Sequence, residues 1–286
     1  MIDQNASIAA RLDEVAELLD EQGANRFRTE AYRKAAQRLR GFDRAVSEIL
    51  AAEGIDGLDR LPGIGPVLAR AIATLVTTGR LPMLERLRGE SDPIALLGTV
   101  PGIGRTLADR LHHGLGISTL EDLEAAAADG RLANVAGMGR KRLTGIRDSL
   151  SSRLGRTRRS PSGRRDEPPV AELLDVDREY RARAGQLPRI APRRFNPKRE
   201  AWLPILHTQR GPRHYTALFS NTARAHSLGR THDWVVLYCD GDRGERQWTV
   251  VTDLAGVLRG RRVVRGREPE CLEHYEPFGA MTRHAV

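Results

Sequence analysis

Lysine is scarce in this chain, and that limits its chemistry. Of 46 basic residues only three are lysines: Lys34, Lys141 and Lys198. A Schiff-base nucleophile needs a primary amine of lowered pKa, which arginine does not supply at neutral pH. The chain instead offers glycine at a recurring spacing. "PGIG" stands at residues 62–65 and 101–104, and "AGMG" at 136–139. Each follows an apolar residue (Leu61, Val100, Val135) and opens a helical pattern: "PVLARAIATL", "RTLADRLHHGL" and "RKRLTGIRDSL". Two glycines around one apolar residue let the backbone turn tightly and remove side chains that would block an incoming group. The helix behind them begins with unpaired N–H groups and a partial positive charge, which suits a phosphate.

Together these are the features of a helix-hairpin-helix element, with Ile64, Ile103 or Met138 as the inward anchor. Pro66 falls in a first helical turn, where its missing N–H costs little. Contacts of this kind go to the nucleic-acid backbone, so the expected activity is DNA binding without sequence readout. The expected phosphate contacts are Gly63, Gly65, Gly102, Gly104, Gly137 and Gly139, joined by Arg105, Arg140, Lys141 and Arg142. A purely structural repeat with a solvated basic helix face is the alternative.

The elements that must hold these turns are helical. Ile8, Leu12, Val15 and Leu19 fall at helical spacing, with Gly23 as a stop. A second helix is expected from about Thr29 to Gly41, a third over "RAVSEILAAEG", and a fourth within Leu61–Gly79. Ser118 or Thr119 suits the cap of a helix over "STLEDLEAAAADGRL". No strand is expected before about residue 200. "RLGRTRRSPSGRRDEPP" has almost nothing to bury and reads as a linker. The expected fold class is multidomain: an all-α helix-hairpin-helix half followed by a smaller α+β domain. The segments are 1–82, a lyase-type helical domain; 83–152, the second and third hairpins; 153–169, the basic linker; and 170–286, a basic α+β domain.

The net charge of +9 favours an anionic partner. It is unevenly placed: residues 1–150 hold 20 basic and 21 acidic groups, so the excess lies beyond them. Any grip in the first half must come from positioned backbone groups and local patches. No apolar run approaches a membrane span, and the N-terminus has no signal-peptide pattern. Two cysteines, Cys239 and Cys271, make no disulfide framework. A cytoplasmic setting is therefore expected, with no membrane partner.

The stretches "FRTEAYRKAAQRL", "LPGIGPVLARAIATLVTTGRLPMLERL", "VPGIGRTLADRLHHGLGISTLEDL" and "VAGMGRKRLTGI" give residues 6–152 a resemblance to the N-terminal region of family X DNA polymerases, especially bacterial ones. The resemblance implies a lyase-type domain and a second helix-hairpin-helix subdomain, gripping gapped or 5′-phosphorylated DNA. It also implies K+ or Na+ held by backbone carbonyls of Leu61, Ile64, Val100 and Ile103, with no other cofactor. The family's lyase lysine falls at Ala71, and a supporting lysine at Val67; the family tyrosine is retained as Tyr32. Lys34 is the nearby amine that would have to substitute. No catalytic residue is assigned on this reading. The alternative is a repair enzyme: an abasic-site lyase, or a nuclease or nucleotidyltransferase working through the C-terminal domain.

In that domain "VAELLDVDREYRARAG" reads as a helix, and "HYTALFS", "DWVVLYCD", "RQWTVVTD" and "RRVVRGRE" as strands. Asp240 and Asp242 form a DxD, but glycines beside them mark a hairpin turn rather than a polymerase metal pair. A second candidate site is Asn221, Arg224, His226, Arg230 and His232, whose types suit phosphate oxygens or, for the histidines, proton transfer. A capped helix between strands, with Ser220 as cap, is the structural reading of the same segment. Cys271 and His274 have C-x-x-H spacing without a second close pair for zinc. "RGRRVVRGR" and "APRRF", with Trp248, suggest a basic nucleic-acid surface.

Overall fold

The computed structural model describes residues 4–90, 93–115, 117, 120–128, 130–153, 167–241 and 245–276. Contacts gather the chain into two compact units built from separated segments. The first takes Met1–Asp92, Ala184–Thr216 and Cys239–Glu245; the second takes Pro93–Arg183, Ala217–Tyr238 and Arg246–Val286.

Five helices lead the first unit: α1 (Gln4–Glu21), α2 (Arg26–Arg40), α3 (Val46–Asp59), α4 (Pro66–Thr78) and α5 (Pro82–Leu87). Ile8, Leu12, Val15 and Leu19 are buried along one face of α1, and Gly23 follows at φ 71°. Helix α2 begins three residues before Thr29 because Asn25 caps it, its Oδ1 accepting from the Phe27 N–H at 2.8 Å. In α3, Gly54 leaves helical geometry (φ 67°, ψ −163°), so the expected segment ends there and a short helical stretch resumes beyond it. Helix α4 has Pro66 in its first turn and closes on Gly79 in the left-handed conformation.

The second unit opens with α6 (Pro93–Gly98), α7 (Arg105–Leu115), α8 (Leu120–Ala128), a 3₁₀ turn at Arg131–Asn134, and α9 (Arg140–Arg153). Leu97, Val100, Ile103, Leu111, Leu132, Met138 and Ile146 share one apolar core among these elements. Helix α10 (Val170–Arg183) follows. The expected caps at Ser118 and Thr119, and residues 154–166 of the expected linker, lie outside the described residues.

Six strands form one sheet in sequential order: β1 (Arg189–Ile190), β2 (Leu203–Arg210), β3 (Arg213–Phe219), β4 (Val235–Cys239), β5 (Arg246–Thr252) and β6 (Arg262–Val264). The β1–β2 and β5–β6 pairs are antiparallel, with Ile190 opposite Leu203 and Val250 opposite Val264. Two short helices, α11 (Ala223–Ser227) and α12 (Glu268–Tyr275), complete the described chain. Strand β1 precedes the expected start of β structure near residue 200. Strand β2 carries Pro204 opposite Arg189 near its start, a position where proline is tolerated. No helix among the described residues is long and apolar enough to cross a membrane.

Candidate nucleic-acid interface

The three glycine turns are the same piece of backbone made three times. In each, the N–H of the apolar anchor donates three residues back: Ile64 to the Leu61 carbonyl (3.0 Å), Ile103 to Val100 (3.0 Å) and Met138 to Val135 (2.9 Å). The first glycine is left-handed every time, with φ of 77° at Gly63, 87° at Gly102 and 92° at Gly137. A side chain is strained in that region, so local geometry accounts for these three glycines. The anchors Ile64, Ile103 and Met138 are buried.

The second glycine of each turn is there for a different reason. Gly65 is extended (φ −89°, ψ 176°), a conformation any residue adopts. Neither Gly104 nor Gly139 has a positive φ. A methyl group on Gly65, Gly104 or Gly139 would meet nothing within 4 Å. Each instead starts a helix, its carbonyl accepting from Ala69, Ala108 or Leu143 at 2.9–3.0 Å. Neither backbone strain nor packing within the chain requires glycine here. What the missing side chain leaves is open access to the first-turn amides, which have no carbonyl acceptor within their own helix.

Arginines stand around the turns. The Arg38 side chain lies so close to Gly63 that a methyl there would be 2.6 Å from its Nε. Arg142 serves two turns at once: its Cγ would be 3.5 Å from a methyl on Gly102, and its Nη1 donates to the Gly137 carbonyl. Arg110 Nη1 donates to the Ala136 carbonyl at 3.0 Å. Arg105, Arg140, Lys141 and Arg142 are all exposed. The second and third turns are thus brought together around shared cations. Sequence reasoning missed Arg38 and Arg110, which sit on α2 and α7, distant in sequence from the turns they touch.

At the position of the family's lyase amine, Ala71 is buried and Val67 half-buried. Tyr32 is buried with its Oη 3.4 Å from Met83 Sδ, and burial pushes its phenol well above the ordinary value. Lys34 stands in solvent with Nζ 3.8 Å from Glu30 Oε1 on the next turn. That is a solvated helix-surface ion pair.

The C-terminal candidates divide. His226 Nε2 and Asn221 Oδ1 are 2.6 Å apart, and Thr222, rather than Ser220, caps α11, its Oγ1 accepting from the Ala225 N–H at 3.1 Å. Arg224 and His232 are exposed, His232 with its ring edge-on to Phe219; Arg230 is half-buried, and its N–H donates to the Ala225 carbonyl at 2.7 Å. Asp240 accepts from buried Arg28 at 2.5 Å, and Arg86 pairs bidentately with Glu245; Asp242 lies outside the described residues. Cys271 is buried, its Sγ accepting from the Val264 N–H at 3.3 Å, and burial raises its thiol pKa. No group of three metal-ligating side chains occurs among the described residues.

The expectation that Trp248 joins a basic surface around "RGRRVVRGR" needs correction. Arg262 is held between Asp177 (2.6 Å) and Asp233 (2.8 Å), while Arg265 stacks over Trp234 and Arg261 over Tyr275. Trp248 is only 4 % exposed, so its indole faces the core and offers no stacking surface. These cations and rings are used to pack the sheet with α10 and α12.

Residues 3–81 match the description "Helix-hairpin-helix domain", and residues 94–152 match "SAM-like Helix-hairpin-helix tandem". The N-terminal half carries helix-hairpin-helix domains. It also matches the N-terminal region of X-family polymerases. The DNA polymerase/3'-5' exonuclease PolX of Bacillus subtilis (strain 168) is 27% identical over 180 residues, 63% of this chain and 29% of that protein. DNA polymerase lambda of Arabidopsis thaliana is 40% identical over 74 residues, 25% of this chain and 14% of that protein. The chain therefore spans less than a third of the length of either relative.

Proposed function

We propose that this protein binds DNA through phosphates at its three glycine turns and acts in DNA repair or processing. The observation that carries the reading is the second glycine of each turn. Gly65, Gly104 and Gly139 have neither a strained φ nor a neighbour to avoid, so their bareness serves a group from outside the chain. A phosphate oxygen at the helix start satisfies amides that the helix cannot. Arg105, Arg140, Lys141 and Arg142 add charge to the second and third turns, while Gly63, Gly102 and Gly137 shape the loops. These contacts read backbone and not bases, so affinity should vary with DNA structure and salt rather than sequence.

The two relatives are named as polymerases, and the resemblance favours gapped or 5′-phosphorylated DNA. Carbonyls of Leu61, Ile64, Val100 and Ile103 suit K+ or Na+. Those of Leu61 and Val100 each accept one turn bond and keep a second lone pair. With Ala71 in the lyase position and Lys34 solvated, the reading is a grip without Schiff-base chemistry.

The test is binding of the full chain to single-stranded, duplex, nicked and gapped DNA across a salt series. Preference for a gap, weakened by Gly104→Ala with the fold intact, supports the proposal. Equal weak binding to all forms with no salt slope refutes it. Borohydride trapping on abasic DNA should leave no covalent adduct.

A further inference from the structure

Between β1 and β2, residues 191–202 form a loop of the first unit. It carries Arg193, Arg194, Lys198 and Arg199 against a single carboxylate, Glu200. Arg193, Lys198 and Arg199 are exposed and form no ion pair among the described residues. On the helices of the same unit Arg33, Arg44 and Arg60 are also exposed, yet each is paired with a carboxylate. Phe195 stands among the loop cations and is 46 % exposed, with the Arg194 guanidinium over its ring at 5.0 Å from the centroid.

The loop is tied down at both ends. The Arg193 N–H donates to the Gly89 carbonyl at 2.8 Å, and a methyl on Gly89 would be 2.7 Å from the Ala191 carbonyl oxygen. Buried Asn196 closes the other end. Its Nδ2 donates to the Glu200 carbonyl at 2.8 Å and its Oδ1 accepts from the Glu200 N–H at 3.0 Å. Its own carbonyl accepts from the Arg199 N–H at 3.0 Å. Within this frame Phe195 (φ 53°) and Arg199 (φ 52°) are left-handed, the only non-glycine residues with positive φ among the described residues. That backbone is strained for a bulky side chain and favours glycine. Every other left-handed position described is a glycine, so this chain uses glycine where the backbone alone matters. At 195 and 199 it keeps a ring and a guanidinium instead. Strain held by a hydrogen-bonded frame points to a use for those two side chains.

We propose that this loop binds an unpaired stretch of a DNA strand, with one base stacked on Phe195 and the flanking phosphates met by Arg193, Lys198 and Arg199. An exposed ring among cations suits a nucleotide, because the ring takes the base's flat face and the cations take its phosphates. A lipid surface needs a wider apolar face, and Phe195 is the only exposed large apolar side chain described in residues 184–216. Stacking is indifferent to which base is stacked, so this contact adds a preference for single strands without sequence readout. The loop shares no residue with the glycine turns.

The test uses the full chain and fluorescence anisotropy across a salt series. The probes are oligo(dT), the same backbone carrying reduced abasic sugars, and a blunt duplex. Phe195→Gly removes the ring and relieves the left-handed backbone, so Tm should hold or rise. Its affinity for oligo(dT) should fall about ten-fold. Its affinity for the abasic strand and the duplex should change by less than about two-fold, since those contacts are to phosphates. Phe195→Trp should bind oligo(dT) at least as well as the parent. Lys198→Ala with Arg199→Gly should lower the log–log salt slope on oligo(dT) by about one and a half units. No binding of oligo(dT), an equal loss on all three probes in Phe195→Gly, or Phe195→Trp behaving like Phe195→Gly overturns the proposal. So does capture of the parent by phosphatidylserine vesicles that is lost in Phe195→Gly while oligo(dT) binding is unchanged. If oligo(dT) binding keeps its dependence on Phe195 but gapped DNA is not preferred and Gly104→Ala has no effect, the glycine-turn reading fails and this one stands.

Discussion

The first glycine turn and the pair in the second unit share a backbone but not their surroundings. At residues 61–65 the helix opens with Pro66 and Val67, and one arginine, Arg38, leans on Gly63. At 101–104 and 136–139, Arg105, Arg140, Lys141 and Arg142 are exposed at the helix starts, and Arg142 reaches both turns. One backbone device has thus been placed in a nearly neutral setting and in a basic one. The turn supplies geometry, and the charges around it set how much that geometry is worth in binding energy.

The largest effect expected is on charge. Replacing Arg140, Lys141 and Arg142 with Ala together should lower DNA affinity about 100-fold at low salt and flatten the log–log salt dependence by about two to three units. Arg38→Ala should remove no more than about one unit of that slope. Equal slopes from the two would erase the contrast between the turns. Next comes access. Gly104→Ala with Gly139→Ala should cost about ten-fold in DNA affinity, and Gly65→Ala about three-fold, by blocking phosphate at a helix start. All should melt like the parent, since each methyl enters open space.

Acid should separate the first unit by stability. Burial, with Arg28 and Arg86 nearby, pushes the His207 pKa well below 6.5. The unfolded chain takes up a proton at the ordinary histidine value and the folded chain does not. Stability is therefore full above about pH 6.5 and falls by about 1.4 kcal/mol per pH unit below it, until the folded pKa is reached. Denaturant melts of the parent and of His207→Gln between pH 7 and 5 measure this; the variant should lose the part of the slope that His207 contributes, while half-buried His214 keeps its own. The smallest effect is conformational. Gly63→Ala and Gly137→Ala force a side chain into left-handed backbone and should cost about 1 kcal/mol each. Gly63 should cost more, because Arg38 must move.

The glycine turns were legible because they are local. A bond from residue i to i−3, a left-handed glycine and a buried anchor all lie within five residues, and the pattern repeats three times. The C-terminal strands other than β1 and β2 were legible from apolar runs, whereas β2 hid behind Pro204 and the polar "HTQR". The α11 segment read as a phosphate or catalytic cluster from its residue types, yet Thr222 and Asn221 are engaged in capping and in a hydrogen bond to His226. Residue type states what a side chain is able to do, and its neighbours decide which use it has.

By itself the sequence determined the three turns, the helices behind them, and that position 71 carries an alanine rather than an amine. These depend on propensities and contacts a few residues apart. Only the tertiary structure decided that Arg142 serves two turns, that Trp248 and Arg262 belong to the interior, and that Arg28 and Arg86 are buried against Asp240 and Glu245. Those last partners are 212 and 159 residues apart in the chain. Over such distances the pairing follows from which surfaces pack, and burial then makes an ion pair obligatory that composition would have left in solvent.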